Sequence, residues 1–62
     1  MIASHLQIVA AVMSLRPNAA WHLVGEEFES SQPINIEWLD ETQERPSDEE
    51  VFAEVEKQSR SI

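Results

Sequence analysis

The sequence has no cysteine and only one glycine, Gly25, among its 62 residues. No disulfide can form, and the two histidines, His5 and His22, are not spaced as a ligand cluster, so the usual staples of very small domains are absent. A single glycine also excludes a glycine-rich phosphate loop. A chain of this length buries only about 60% of its unfolded surface. Its stability therefore depends on good packing, self-association or a partner.

Long apolar runs are also lacking. The apolar stretch from Ile2 to Leu15 is interrupted by His5, Gln7 and Ser14, and no basic residue precedes it. It is shorter than the roughly 20 apolar residues that span a bilayer. We therefore expect neither a signal peptide nor a membrane anchor. The lack of cysteine is compatible with a reducing compartment, which favours the cytoplasm.

Basic residues are few, with four Lys and Arg against twelve Asp and Glu, for a net charge of −8. Such an excess disfavours contact with nucleic acid or with an anionic membrane. Residues 1–25 contain no Asp or Glu, whereas all twelve acidic residues lie between Glu26 and Glu56. One part of the chain is nearly neutral and apolar, and the other carries the charge.

Three interpretations of the acidic run stay open. It can serve solubility and helix capping, form a docking face for a basic patch on another protein, or mimic nucleic acid. Mimicry needs carboxylates spaced like phosphates along a rigid surface, and many of these carboxylates fall in predicted loops, which counts against it.

Apolar residues at spacings of three and four predict a first helix over about 2–15. Its start lies either at Met1 or after a cap at Ser4. It ends before Pro17, because the residue before a proline avoids the helical region. The apolar residues occupy much of the circumference: Ile2, Leu6, Ile8, Val9, Val12, Met13 and Leu15.

Two strands are predicted next, over about 19–24 and about 34–39, because apolar and polar side chains alternate there. We expect them to pair antiparallel as a β-hairpin. The polar stretch 26–33 between them is expected to be a loop of about eight residues, longer than most hairpin loops. Phe28 is its one large apolar residue.

A second helix is predicted over about 48–58. Ser47 and Glu50 have the spacing of a capping box, and acidic residues in the first turn favour the positive end of the helix dipole. Val51, Phe52 and Val55 form its apolar stripe. The fold class is thus α+β, a single small helix-strand-strand-helix domain over 1–62 with an antiparallel β-hairpin.

No pattern in the sequence carries catalysis. Nucleophilic catalysis needs a nucleophile beside an oriented base, and His22 is the only histidine on a predicted strand. Adjacent carboxylates such as Asp40 and Glu41, or Glu26 and Glu27, have neither a calcium-binding loop nor a histidine at helical spacing. Four serines have plainer roles in a helix end, a loop or a cap: Ser14, Ser30, Ser31 and Ser47. We expect no catalytic, metal-binding or cofactor-binding residue, and no enzyme.

Protein contact is the function that the apolar residues favour. Helix 1 is more apolar than a hairpin and a short helix can cover, and the hairpin has two free strand edges. Trp21 and Trp38 are expected to form a cross-strand pair beneath helix 1, with Trp38 in the core and Trp21 either buried or an exposed anchor. Ile36, Val51 and Val55 are also expected in the core. The predicted interface residues are Leu6, Val9, Met13, Trp21 and Phe28.

The order of these signals resembles a known family. The residues that carry the likeness are Leu15-Arg16-Pro17-Asn18-Ala19, the strand with Trp21, the segment from Ile34 to Trp38, and Pro46-Ser47-Asp48-Glu49-Glu50-Val51. They are similar to "Leu-x-Pro-Asn-Ala" and "Pro-Thr/Ser-x-x-Glu-Ile/Val" in small proteins of bacteriophage tail modules, of the XkdW type. The likeness to the "Ile-x-x-Trp" of these proteins is looser, because Ile34 and Ile36 lie four and two residues before Trp38. The likeness extends from about Leu15 to Val55. Longer members continue into a C-terminal tail, whose role is not carried over.

The resemblance implies a phage-derived virion or tail-assembly accessory protein in the virion or the host bacterial cytoplasm. Its partners would be phage structural, tail or baseplate proteins, with homo-oligomers as a further option. It implies no catalytic residue. The alternative is a small acidic inhibitor, of the nucleic-acid mimic type, that binds a host nuclease or another basic protein.

Overall fold

The computed structural model describes residues 2–60 and has two helices and two antiparallel strand pairs. In chain order the elements are β1 (Ile2–Ser4), α1 (His5–Leu15), β2 (Trp21–Leu23), β3 (Glu27–Glu29), β4 (Ile36–Trp38) and α2 (Asp48–Arg60). The expected α+β class is confirmed. The predicted strand pair is confirmed as β2 with β4, although each strand is three residues long and shorter than expected.

Of the two starts left open for helix 1, the cap at Ser4 is confirmed, and the bound at about residue 2 is wrong. Ser4 has extended backbone angles and caps α1 through a capping box. The Gln7 amide donates to Ser4 Oγ at 3.3 Å, and the Ser4 amide donates to Gln7 Oε1 at 2.8 Å. Because the helix begins only at His5, the three residues before it stay extended and form β1.

The expected loop over 26–33 is also wrong in part, since it contains β3. This strand pairs antiparallel with β1 and places Phe28 opposite Ala3, with both side chains buried. The chain turns into β3 at Gly25, whose φ of +116° is readily adopted only by glycine. His5 secures the turn, because its amide donates to the Glu26 carbonyl at 2.7 Å and its Nδ1 lies 2.7 Å from the Gly25 carbonyl oxygen.

The two strand pairs interleave along the chain, since β1 pairs with β3 and β2 pairs with β4. Helix α1 packs on α2, and the strands contribute side chains to the core that these helices share. The buried apolar residues from all layers form one cluster: Ala3, Ile8, Ala11, Val12, Leu23, Phe28, Ile34, Val51, Phe52 and Val55. The core positions expected for Val51 and Val55 are confirmed. Ile36 and Trp38 are only partly buried against the cluster.

Helix α2 begins as predicted and ends two residues later than expected. The capping box is confirmed: the Glu50 amide donates to Ser47 Oγ at 3.1 Å, and the Ser47 amide donates to Glu50 Oε1 at 3.2 Å. A clamp before the helix fixes Ile34. Its amide donates to Asp48 Oδ2 at 3.1 Å, while its carbonyl accepts from Arg45 at 3.2 Å. Arg45 and Asp48 pair at 2.7 Å and complete the clamp.

Candidate docking surface on helix α1

Helix α1 is apolar on two opposite sides. Ile8, Ala11 and Val12 are buried in the core. On the solvent side Leu6 is 78% exposed and Met13 59% exposed, with exposed Ala10 between them at spacings of four and three. We call Leu6, Ala10 and Met13 the α1 outer face. The helix contains no Asp, Glu, Lys or Arg, so no charged side chain projects from this face.

A shallow groove continues the α1 outer face toward α2. It has a volume of about 240 Å³. It is lined by Leu6, Gln7, Ala10, Val55, Gln58 and Ser59. None of these lining side chains is charged. One wall is fixed because Gln58 Nε2 donates to the Ala10 carbonyl at 3.3 Å. The α1 outer face and this groove form a continuous uncharged surface.

The charged contacts of α1 lie at its C-terminal end. Ser14 donates to Glu54 at 3.1 Å, and Arg16 lies 4.0 Å from Glu50. The Arg16 Nε also donates to the Glu44 carbonyl at 2.7 Å. These contacts hold α2 and the preceding loop against the C-terminal end of α1. They do not involve the residues of the α1 outer face.

The predicted interface residues occupy different places. Leu6 and Met13 lie on the α1 outer face, and Val9 is partly buried at its margin. Trp21 is partly buried on β2 and packs against the core cluster. Phe28 is 7% exposed, so it belongs to the core. The structure therefore brings together the three α1 residues and neither aromatic residue.

Sequence reasoning missed Ala10, because only large apolar residues were weighed. Its position between Leu6 and Met13 was visible from the helical spacing of 6, 10 and 13. Ile2 was expected on the helix face, and it lies instead on β1 with its side chain 63% exposed.

The two tryptophans form the expected cross-strand pair, with Trp21 directly opposite Trp38. Trp38 Nε1 donates to the Gln43 carbonyl at 2.8 Å. Both indoles are partly buried against the core cluster. Their packing supports β2 and β4, which is a structural role.

A second exposed apolar surface lies on the outer side of the β2–β4 pair. Leu39 is 58% exposed and Val24 is 48% exposed at its two ends. His22 and Glu37 stand opposite each other between them and are both exposed. This polar centre divides the surface into single apolar residues, which are ordinary on soluble proteins.

The side chains weighed for chemistry remain separate in the structure. No polar or charged residue is buried within residues 2–60, and that range contains no group of three His, Asp or Glu side chains able to hold a metal ion. His22 is exposed on β2, and Ser14 bonds to Glu54. Neither helix in the described part of the chain has the length and apolar character needed to cross a membrane.

The pKa of the Asp40 carboxylate is lowered, and the cause is structural. The Thr42 hydroxyl and the Thr42, Gln43 and Ala20 amides donate to it, which lowers its pKa below the ordinary value. The carboxylate thereby closes the turn after β4 and ties it to the residue before β2. These bonds stabilise the ionised form.

Comparison with known proteins found no match. No protein-family model, no curated protein and no solved structure matches the chain. The α1 outer face is accordingly identified by its exposure, its spacing and its lack of charge.

Proposed function

We propose that this protein acts by non-covalent docking to other protein subunits, and that the α1 outer face is its docking surface. The observation that carries the proposal is a helix without formal charge, in a chain of net charge −8, that turns Leu6 and Met13 to solvent. A helix with apolar residues on two opposite sides is normally covered on both of them. The covering element here would come from outside the described chain.

Burial of this face would contribute a useful part of a binding energy. A large apolar side chain gains about 1.5–3 kcal/mol when it is fully buried from full exposure. Leu6 and Met13 still have 78% and 59% of their surface exposed, so most of that gain remains available. Association also costs translational and rotational freedom. The face therefore suits one contact within a many-subunit assembly.

The proposed setting is a phage or phage-like particle, in which the protein is a virion or tail-assembly component bound to tail or baseplate subunits. The family resemblance supports this setting. In the structure its motif residues have framework roles: Asn18 has a φ of +63° in the turn after α1, and Ser47 caps α2. The likeness thus concerns the framework that presents α1.

The test uses a matched pair of exposed apolar residues. Met13→Glu adds a carboxylate to the α1 outer face, and Leu39→Glu adds one to the other exposed surface, from side chains that are 59% and 58% exposed. Particles are purified from cells that express each variant, and the chain is quantified by mass spectrometry. We expect Leu39→Glu to be retained and Met13→Glu to be lost. Equal retention of the two variants would refute docking through α1.

A second candidate function, inhibition of a basic protein such as a host nuclease, is favoured by a groove beside α2. Its volume is about 570 Å³, and it is lined by Ser30, Asp48, Glu49, Phe52, Ala53 and Glu56. Asp48 in this groove already pairs with Arg45 and Glu56 with Arg60, so Glu49 beside the Phe52 ring is the carboxylate placed to meet a lysine or arginine side chain. Moreover, eight of the twelve acidic residues lie on helices or strands, so fewer fall in loops than expected.

The inhibitor proposal is best tested at Glu49. Glu50 caps α2 and Glu54 accepts from Ser14, so neutralising either would also disturb the fold. Glu49→Gln should reduce capture of basic host proteins, whereas the exposed loop control Glu41→Gln should not. Undiminished capture by Glu49→Gln would reject this groove as the binding site.

A further inference from the structure

We infer that the exposed side of α2 binds an α-helix of a partner protein that carries a basic and an acidic side chain about two turns apart. The basic side chain would meet Glu49, and the acidic side chain would meet Lys57. The inference rests on the second candidate function in so far as both use Glu49, and it does not depend on the α1 outer face. It adds the conformation of the partner segment and a second charge, of opposite sign.

Two grooves adjoin along the exposed side of α2. The groove of about 570 Å³ continues into another of about 320 Å³. The second groove is lined by Ala53, Glu56, Lys57 and Arg60. Because Ala53 and Glu56 also line the first groove, the two form one shallow depression, which extends from the first turn of α2 to its last. We call this depression the α2 groove.

Two charged side chains of the α2 groove have no partner among residues 2–60. Asp48 pairs with an arginine outside the groove, and Glu56 pairs with Arg60. The side chains of Glu49 and Lys57 are exposed and make no hydrogen bond or ion pair within the described chain. The groove therefore offers a partner one carboxylate near its N-terminal end and one ammonium group near its C-terminal end.

Glu49, Ala53 and Lys57 stand in one row along α2. Side chains four residues apart are neighbours on a helix surface, and eight residues separate the two charges by about 12 Å along the axis. The helix dipole accounts for an acidic first turn and a basic last turn, but it does not require the two free charges to share a row. Between them, the small side chain of Ala53 permits the close approach of another helix.

A helix suits this surface better than an extended peptide does. The backbone groups of α2 between Glu49 and Lys57 are used in the hydrogen bonds of the helix itself, so they offer none to an extended peptide. A partner helix satisfies its own backbone groups and packs its side-chain rows between those of α2. When two helices cross at about 20°, side chains about seven or eight residues apart on the partner lie opposite the two charges.

The charges are expected to select the partner more than to hold it. Exposed ion pairs each contribute little affinity, so removing one charge of the row should weaken binding only about two- to fivefold. Reversing a charge also adds repulsion and should weaken binding further. The edge of the Phe52 ring and Ala53 supply the apolar contact between the charges.

The experiment selects binders from a displayed library of helical hairpins, in which two outward positions about eight residues apart are randomised. The full wild-type chain, Glu49→Lys and Lys57→Glu serve as separate targets. The control target is Glu41→Lys, which makes the same change of charge as Glu49→Lys at an exposed loop residue. Circular dichroism checks that each target keeps the fold.

We expect the wild type and Glu41→Lys to enrich hairpins with one basic and one acidic residue. Glu49→Lys should enrich two acidic residues, and Lys57→Glu should enrich two basic ones, whichever way the partner helix runs. Hairpins selected on the wild type should bind Glu49→Lys and Lys57→Glu at least about threefold more weakly and bind the control equally well.

This inference and the second candidate function fail in different ways. Enrichment of doubly basic hairpins by the wild type would overturn the inference and leave a basic partner standing, because such a partner does not use Lys57. Failure to enrich any hairpin, or enrichment that is insensitive to both reversals, would also overturn it. Enrichment of mixed pairs, together with undiminished capture of basic host proteins by Glu49→Gln, would support the inference and reject the inhibitor.

Discussion

A single methyl group added at Gly25 should strongly destabilise the fold. Its φ of +116° lies in a region that residues with a Cβ rarely adopt, and a Cβ built there would lie 3.1 Å from Phe28 Cζ and 3.3 Å from Phe28 Cε1. The ring cannot move away freely, because Phe28 is buried in the core cluster opposite Ala3. Gly25→Ala therefore combines backbone strain with crowding in the core.

The expected loss is the sum of these two effects. A non-glycine residue in a sparsely populated backbone region costs about 1–3 kcal/mol, and overpacking of a filled core typically adds about 1–3 kcal/mol. We expect a loss of about 2–4 kcal/mol, allowing for partial relaxation of the ring. At about 0.05–0.15 kcal/mol per residue, a chain of 62 residues has roughly 3–9 kcal/mol in total. The variant should be close to unfolding.

Urea denaturation measures the loss, with tryptophan fluorescence from Trp21 and Trp38 and far-ultraviolet circular dichroism as independent probes. The adjacent Val24→Ala, at a side chain that is 48% exposed, should change the free energy of unfolding by less than about 0.5 kcal/mol. A double variant with Phe28→Leu separates the two causes, because the smaller side chain relieves crowding and leaves the backbone strain. A loss below about 0.5 kcal/mol for Gly25→Ala would refute the reasoning.

Three further predictions concern the polar contacts. Ser47→Ala should destabilise the fold by about 1 kcal/mol in urea titrations, since α2 loses its N-cap; no loss would show that the capping box is dispensable. Arg45→Met should cost about 0.5–1.5 kcal/mol by the same measurement, because the partly exposed guanidinium holds the Ile34 carbonyl and Asp48; an unchanged midpoint would contradict the clamp. The lowered pKa of Asp40 means that its ionised form adds stability above the ordinary value of 3.8 and loses it as pH falls through the folded value. The difference in urea midpoint between wild type and Asp40→Asn should therefore be constant near neutral pH and shrink below pH 3.8, and a difference independent of pH would refute this role.

Elements with local signals were predictable from the sequence. The Ser47 and Glu50 spacing located the start of α2, and the alternation around Trp21 and Trp38 located β2 and β4 in their correct pairing. Each of these signals depends on residues within one turn or one strand. The ends of the strands were less certain, because β2 and β4 have only three residues each and the alternating pattern continues beyond them.

The β1–β3 pair could not be predicted in the same way. Each strand has three residues and buries only one side chain, Ala3 or Phe28. A single apolar residue between polar neighbours gives no recognisable strand pattern. The pairing also joins two segments that are far apart in the sequence. One local signal was available: the spacing of Ser4 and Gln7 is that of a capping box, which places the helix start at His5 and frees the residues before it for a strand.

The candidate surface was predicted in outline. The apolar excess of helix 1 indicated an exposed face, and Leu6 and Met13 are indeed exposed. Composition could not decide which apolar residues lie outside, because both sides of the helix carry large apolar residues. That choice is made by the position of α2 and the strands, which cover Ile8 and Val12.

The interleaved strand pairs bear on how this chain can be synthesised and cut. On the ribosome, β1 has no partner until Glu29 has emerged, and β2 has none until Trp38. Helix α1 lacks its α2 contact until the C-terminal segment is made. Any single cleavage of the backbone between residues 4 and 36 places at least one strand and its paired strand on different fragments. Neither fragment produced by such a cut therefore contains both strand pairs. During synthesis, the two strand pairs and the contact between α1 and α2 can all form only after α2 has been made.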